Sequence, residues 1–363
     1  MMKRAVIATL LTVLLACGPC FAEEMHSVLP AVGAVCLTTD QPVTIDGDLS
    51  DAAWDGAPVV SGFRISALEE LAPNQTEFMM LRDAGGLYIA ARCHEENMAG
   101  LKETVTMRDG SVWHDDDVEL FFDVDHDHDD FYQLMANSLG TRFDSKTGAN
   151  TWDAEWQAAT SKEAEAWLLE MAIPWEALET DAPDTGDVWG FNVARERQAG
   201  RSTVLSNWAN VQGNFLRPWL FGHVYFAGEN FVLTEEVARR LHTAIEVPVE
   251  MYLDGRIALV TEKGVEESAT YQELLAEAFG GAADLRDLHA ELAEAFAENP
   301  DAPHQDEFAP LDARFREIRA LATGQEPVSP AQWATQTITI DTLQTQLHEL
   351  KWKVKIALLL REA

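Results

Sequence analysis

The sequence predicts a mainly β protein: an immunoglobulin-like antiparallel β-sandwich followed by an α-helical hairpin or small bundle. Three observations carry this. Between residues 37 and 228, short runs with period-two alternation recur between Gly, Asp and Pro turn signals. A compact hairpin pattern follows at 245–265, around Asp254-Gly255. Over 267–362 the apolar residues step by three and four, as on helices.

The stretch Ser111 to Asp130 organises the first region. An acidic run, Asp115 to Asp117, leads into DVELFFDV. Val118, Leu120, Phe122 and Val124 fall on one face, and Glu119, Phe121 and Asp123 on the other. A face bearing a Glu and an Asp is expected to meet water or a ligand, with Trp113 at its rim.

In chain order, Val43 to Ile45 reads as a strand turned by Asp46-Gly47, and Leu49 to Trp54 as a capped helical turn. Thr76 to Arg82 and Leu87 to His94 form a hairpin about Asp83-Ala84-Gly85-Gly86. After the strand at 117–124, Phe131 to Asn137 turns at Leu139-Gly140 into Thr141 to Phe143. Trp156 to Thr160 and Ala166 to Ile173 pair around Ser161 to Glu163. Pro174 cannot donate to a ladder and opens a short helix, Trp175 to Leu178. Trp189 to Glu196, Val204 to Trp208 and Phe221 to Phe226 complete the strands. The helices are expected at Ser268 to Phe279, Ala283 to Glu298, Phe308 to Ala322, and from the Ser329-Pro330 cap to Leu360. The last carries a long stripe through Ile338, Ile340, Leu343, Leu347, Leu350, Trp352, Val354 and Leu358, enough to raise self-association through the tail.

The 363 residues are 47% hydrophobic, sufficient for a substantial core. A formal net charge of -35 repels nucleic acid and anionic lipid. Residues 1–22 read as a signal peptide, with Lys3 and Arg4 ahead of the apolar run Ala5 to Ala16. Cleavage before Glu23 competes with a lipoprotein-type exit at Cys17, after Leu14-Leu15-Ala16. Either way the protein is expected in the periplasm or at the cell surface. No other stretch is long and apolar enough to span a membrane. Simple cleavage before Glu23 leaves Cys36 and Cys93, either as a disulfide or as two separate buried thiols.

Six motifs occur in a familiar order: VTIDGDLSDAAW, TEFMMLRDAGGLYIAARCHE, VWHDDDVELFFDVD, YQLMANSLGTRFD, AWLLEMAIPWEAL and WGFNVARER. Together, over about 37–228, they resemble carbohydrate-binding module family 9, within the DOMON-like sandwiches. The resemblance implies a non-catalytic carbohydrate-binding protein that holds a mono- or oligosaccharide between two Trp side chains. Carried onto this chain, Trp113 is one platform, with Glu119 six residues later as hydroxyl acceptor. Trp208 is the second platform, Asn207 or Asn210 its polar neighbour and Arg142 a donor, with Arg195 as a lesser alternative to Arg142. Sugar C–H faces pack on aromatics, and hydroxyls bond to Glu, Asn and Arg.

Asp125, Asp127 and Asp129 offer hard oxygens for calcium, which the resemblance also implies as a structural ion. The interleaved His126 and His128 point instead to zinc, and a solvated acidic turn is the plain alternative. Modules of this kind accompany glycoside hydrolases. Glu119 and Asp123 share a strand face, yet no cleft-bearing scaffold or catalytic motif is recognised. Some DOMON-like sandwiches bind haem b, for which Met80, Met107 and His94 are the candidates; no CxxCH attachment sequence occurs.

Overall fold

The computed structural model describes residues 30–362 except 69, 150 and 300, so the signal-like segment and Cys17 lie outside the described residues. Strand β5 (Asp117–Asp123) lies antiparallel between β6 (Tyr132–Asn137) and β10 (Val188–Arg197). Strand β7 (Arg142–Lys146) flanks β6, while β11 (Val204–Asn207) and β12 (Gly222–Ala227) both pair with β10. A short β2 (Arg64–Ile65) extends β11. The other half runs β3 (Thr76–Arg82), β4 (Gly86–His94), β9 (Ala166–Pro174) and β8 (Gln157–Lys162), all antiparallel.

The two halves are joined by β1 (Ala31–Thr38), which pairs parallel with both β12 and β3. The hydrogen-bonded path is therefore continuous, and it folds over on itself. Strands β10 and β3 stand three places apart along it, roughly 14 Å if the sheet were flat. Yet the rings of Phe78 on β3 and Phe191 on β10 are 5.8 Å apart. Val118, Leu120 and Phe122 from one half share a single core with Ile89, Leu169 and Met171 from the other. That is a β-sandwich. Cys36 and Cys93 are free, separate thiols in this core.

Several parts of the fold differ from the sequence expectation. Val43 to Ile45 is not a strand. The backbone there bonds to side chains: Thr44 N–H donates to Asp51, and Asp46 and Gly47 N–H donate to the buried Glu170. Strand β1 was not expected, because a strand with parallel neighbours reads as an unbroken apolar run without alternation. Helix α1 (Glu235–Ile245) was not expected either; Thr234 caps it by accepting from Val237 N–H.

The hairpin at 245–265 is a three-stranded meander, β13 (Val249–Leu253), β14 (Arg256–Thr261) and β15 (Gly264–Thr270). Gly255 takes the left-handed turn position at φ 69°. Strand β13 pairs parallel with β1, and Tyr252 packs into the sandwich core, so the sheet continues past residue 228.

Helices α2 (Tyr271–Gly281), α3 (Ala283–Glu298), α4 (Gln305–Thr323) and α5 (Pro330–Glu362) form the tail. A capping box starts α2, between Thr270 and Glu273. Ser329 and Gln332 bond reciprocally at the start of α5. Leu275, Leu285, Leu292, Phe315, Leu343 and Leu347 meet in one helical core. The tail is seated on the sandwich where Ala331 N–H, at the N-terminus of α5, donates to Glu77 on β3 at 3.3 Å. Trp352 departs from the expected stripe: with Ile356, Leu359 and Leu360 it is exposed on the last turns of α5. No helix among the described residues is long and apolar enough to cross a membrane.

Candidate functional site: a carboxylate-floored cavity beside Trp113

The strand register puts Asp117, Glu119 and Phe121 of β5 on the face away from the shared core. Glu196 lies directly opposite Asp117, and Met135 opposite Glu119. Gln133 and Ser145 continue the same face across β6 and β7, with Phe143 beside them. Of these, Glu119, Glu196, Gln133, Met135, Phe143 and Ser145 floor a cavity of about 350 Å³. Its walls are Trp113, Gly148 and the segment Gly213 to Leu216.

This face is not open along its length, contrary to the expectation for Glu119 and Asp123. All seven residues of β5 are buried. Phe121 packs with Phe131, Val211 and Phe221, and its ring lies 6.3 Å from that of Phe215. The segment after β11 therefore covers the middle of the face and leaves a cavity at one end.

The acidic run positions Trp113 instead of meeting solvent. Asp115 accepts from the N–H groups of Thr104 and Val105, the Thr104 hydroxyl and Asn137 Nδ2. Asp116 accepts from Lys102, Gln198 and Ala199 N–H, and Asp117 from Glu196 N–H. Both Asp115 and Asp116 are wholly buried. They tie two loops, 102–105 and 198–199, and the end of β6 to the start of β5, next to the 3-10 turn Val112–His114. Val112 is buried, while Trp113 stays 36% exposed, edge-on to Phe143 at 5.5 Å.

Glu119 accepts from Gln133 Nε2 at 2.8 Å, and Gln133 Oε1 accepts from the Ser145 hydroxyl. Burial pushes the Glu119 carboxyl up to about 8; the Gln133 hydrogen bond opposes this and the nearby Glu196 adds to it. Burial likewise pushes Glu196 up to about 7. Asp117 is raised well above the usual carboxylate range by burial and by both neighbours. Burial thus favours the protonated carboxyl of Glu119 at neutral pH, in which form it can donate to a ligand as well as accept.

The expected site residues divide. Trp113 and Glu119 line the cavity together. Trp208 does not: it is 2% exposed, with its ring 5.3 Å from Phe78, 6.1 Å from Phe191 and 5.8 Å from Tyr252. Its polar neighbours suggested a surface position, but alternation after β11 turns the indole inward. Asn207 is buried and donates to the Ala209 carbonyl, holding the covering segment. Arg142 stands opposite Ala136, a core residue, so one step of register puts it on the wrong face. Its guanidinium lies 5.4 Å above the Trp156 ring. Arg195 is buried and bonded to the His94 carbonyl.

Sequence reasoning missed Glu196, Gln133, Ser145, Asn214 and Phe215. For Glu196 the signal was present, since residue 196 ends a strand whose alternation was read. Asn214-Phe215-Leu216 lies in an irregular segment without periodicity. Of the haem candidates, Met80 faces the core, Met107 is exposed and His94 bonds to Glu77, so they do not share one pocket. A larger groove of about 590 Å³ between α3 and α5 lacks any aromatic lining residue apart from His348.

At the other end of the same face, Asp123, Asp125 and Asp127 each bring a carboxylate oxygen within 4.8 Å of the others. The expected set of Asp125, Asp127 and Asp129 thus changes by one residue: Asp129 donates its N–H to Asp127, and Asp123 takes its place. His126 and His128 adopt left-handed backbone conformations, at φ 56° and 67°, and curl this turn over β5. His126 Nε2 lies 3.0 Å from Nδ1 of His223 on β12.

Comparison with known proteins extends this description. The model of a family described as carbohydrate family 9 binding domain-like matches residues 45–229. Endo-1,4-beta-xylanase A of Thermoanaerobacterium saccharolyticum is 24% identical over 174 residues, which is 47% of this chain and 14% of the xylanase. The match thus spans a small part of that relative's length. Two solved structures of a carbohydrate binding module family 9 from Caldicellulosiruptor kristjanssonii are each 18% identical over 55% of this chain. The complex with cellotriose is 95% covered at a TM-score of 0.40, and the complex with glucose 99% covered at 0.41.

Proposed function

The chain belongs to the carbohydrate family 9 binding domain-like family, and from that premise we propose that the cavity beside Trp113 holds a sugar ring. One observation carries the reading: an exposed indole and the carboxyls of Glu119 and Glu196 line the same small cavity. Trp113 offers a flat apolar surface to the C–H face of the ring. Glu119, Glu196, Gln133, Ser145 and Asn214 offer donors and acceptors to its hydroxyls. Phe215 takes the share of the wall that a second tryptophan was expected to supply. The protein binds its ligand without cleaving it: Glu119 and Glu196 are neighbours on one floor, whereas glycosidases set two carboxyls on opposite sides of the scissile bond.

A single exposed indole and a few hydrogen bonds, set against the ordering cost of binding, give an affinity of about micromolar or weaker. Trp113→Ala is expected to weaken binding at least tenfold, about 1.4 kcal/mol, with the protein still folded. Calorimetric titration with glucose, cellotriose and xylo-oligosaccharides checks this, beside a melting curve for the variant. A folded variant that binds as tightly as the parent places the sugar elsewhere.

The second part of the proposal is a structural calcium ion at Asp123, Asp125 and Asp127. Oxygens within 4.8 Å of one another suit an ion that bonds each at about 2.3–2.6 Å. It would tie the end of β5 to the turn that follows. Calcium is expected to raise the melting temperature of chelator-treated protein by a few degrees, at about 2–4 °C per kcal/mol. Asp125→Asn should lose that response. A parent protein that melts at the same temperature with calcium and with chelator would remove the ion from the account.

A further inference from the structure

We propose that the preferred ligand of this cavity is a sugar bearing a primary ammonium group, a 2-amino-2-deoxyhexose unit, rather than a neutral one. The inference rests on the sugar-binding reading above and names the substrate class.

The observation is a group of carboxyls with no cationic partner. Glu119 and Glu196 line the cavity, and among the described residues no Lys or Arg does. Asp117, directly opposite Glu196, is fully buried, and its Oδ2 has no hydrogen-bond partner. Several neighbouring cations are engaged elsewhere. Arg195 and Arg197 meet Glu95. Lys146 bonds to Glu179, and Arg142 lies over Trp156. Arg217, next to the cavity wall, donates to the carbonyls of Val211 and Gln212. His114 stands against the Trp113 ring, 5.8 Å between centroids, and Asp116 is committed to three backbone N–H groups.

Ionising the buried Glu119, the half-buried Glu196 and, beside Glu196 in the register, the buried Asp117 without a counter-charge is costly for a folded protein. A ligand ammonium would supply the missing charge. Because Glu119 is already desolvated, little further water is stripped from it when the ammonium arrives. Trp113 adds a π-face that favours a cation as well as a sugar ring. The raised carboxyl pKa values fit this chemistry: the empty floor keeps protons, and a cationic ligand displaces them. Binding should therefore release protons at neutral pH.

Three trimers differ only at C2 and form the test: cellotriose with a hydroxyl, its glucosamine counterpart with an ammonium, and the N-acetylated counterpart with a neutral amide. Calorimetry on the full chain at pH 7 and low salt is expected to show the glucosamine trimer at least tenfold tighter than cellotriose. Its advantage should shrink at high salt, where charge attraction is screened. Titration in buffers of different ionisation enthalpy should show proton release. The advantage should vanish in a Glu119→Gln/Glu196→Gln double variant whose melting curve shows it folded. Cellotriose binding as tightly as the glucosamine trimer would overturn the inference and leave the sugar-binding reading standing. An undiminished advantage in the double variant would also overturn it, by assigning the attraction to the acidic surface as a whole. No binding by any trimer would remove both readings.

Discussion

Trp208→Ala is expected to destabilise the sandwich by about 3–5 kcal/mol, the usual range for deleting a large buried aromatic. The indole touches Phe78, Phe191 and Tyr252, which belong to β3, β10 and β13. Its removal would open a cavity where the two halves of the sheet meet the meander. Gly222 on β12 is shaped to it: a Cβ there would stand 2.9 Å from Trp208 Cζ3. Trp113→Ala, at the surface, should cost far less, so urea midpoints separate the two tryptophans. Trp208→Phe is the finer comparison. It keeps most of the ring and removes an indole N–H that has no acceptor, so it should cost clearly less than alanine. A Trp208→Ala variant that unfolds at the parent's urea concentration, yet has lost its sugar, would return Trp208 to the binding surface.

That contrast shows what the sequence could and could not reveal. Helix α3 runs Ala283–Glu298, as its three- and four-residue spacing predicts. The face of β5 that carries Glu119 was legible too, since strand alternation depends only on local geometry. What covers a face is set by distant chain. Nothing local to β5 announces that Phe131, Val211 and Phe221 will pack over Phe121. The acidic run illustrates the same limit. Consecutive aspartates read as solvated, but Asp115 and Asp116 find backbone N–H partners from residues 102–105 and 198–199, and burial follows from those bonds. Arg142 and Trp208 each failed by a single step of register, where the error in position is small and the change of face is complete.

The carboxylate floor should make the protein less stable as pH rises, and Glu119→Gln should relieve part of that. In the unfolded chain Glu119 ionises at about 4.3, whereas in the fold its carboxyl is pushed up to about 8. Below the unfolded value both states hold the proton, and the group favours neither. Between the two values the folded protein keeps a proton that the unfolded chain has released. Stability therefore falls with rising pH across that interval, by at most about 1.4 kcal/mol per pH unit for this one group, and levels off above it. Glutamine stays neutral at every pH, and its side-chain carbonyl can still accept from Gln133 Nε2. The variant should match the parent near pH 4.5 and exceed it at pH 8, while binding its ligand less well. Asp117, which Glu119 helps to raise, should ionise more readily in the variant and add to the gain. Urea midpoints for both proteins at the two pH values decide the matter. If Glu119→Gln is the less stable protein at pH 8, then Glu119 is ionised and well bonded in the fold. In that case the cavity floor is not a store of protons, and the stability it lacks is not a cost of holding a ligand.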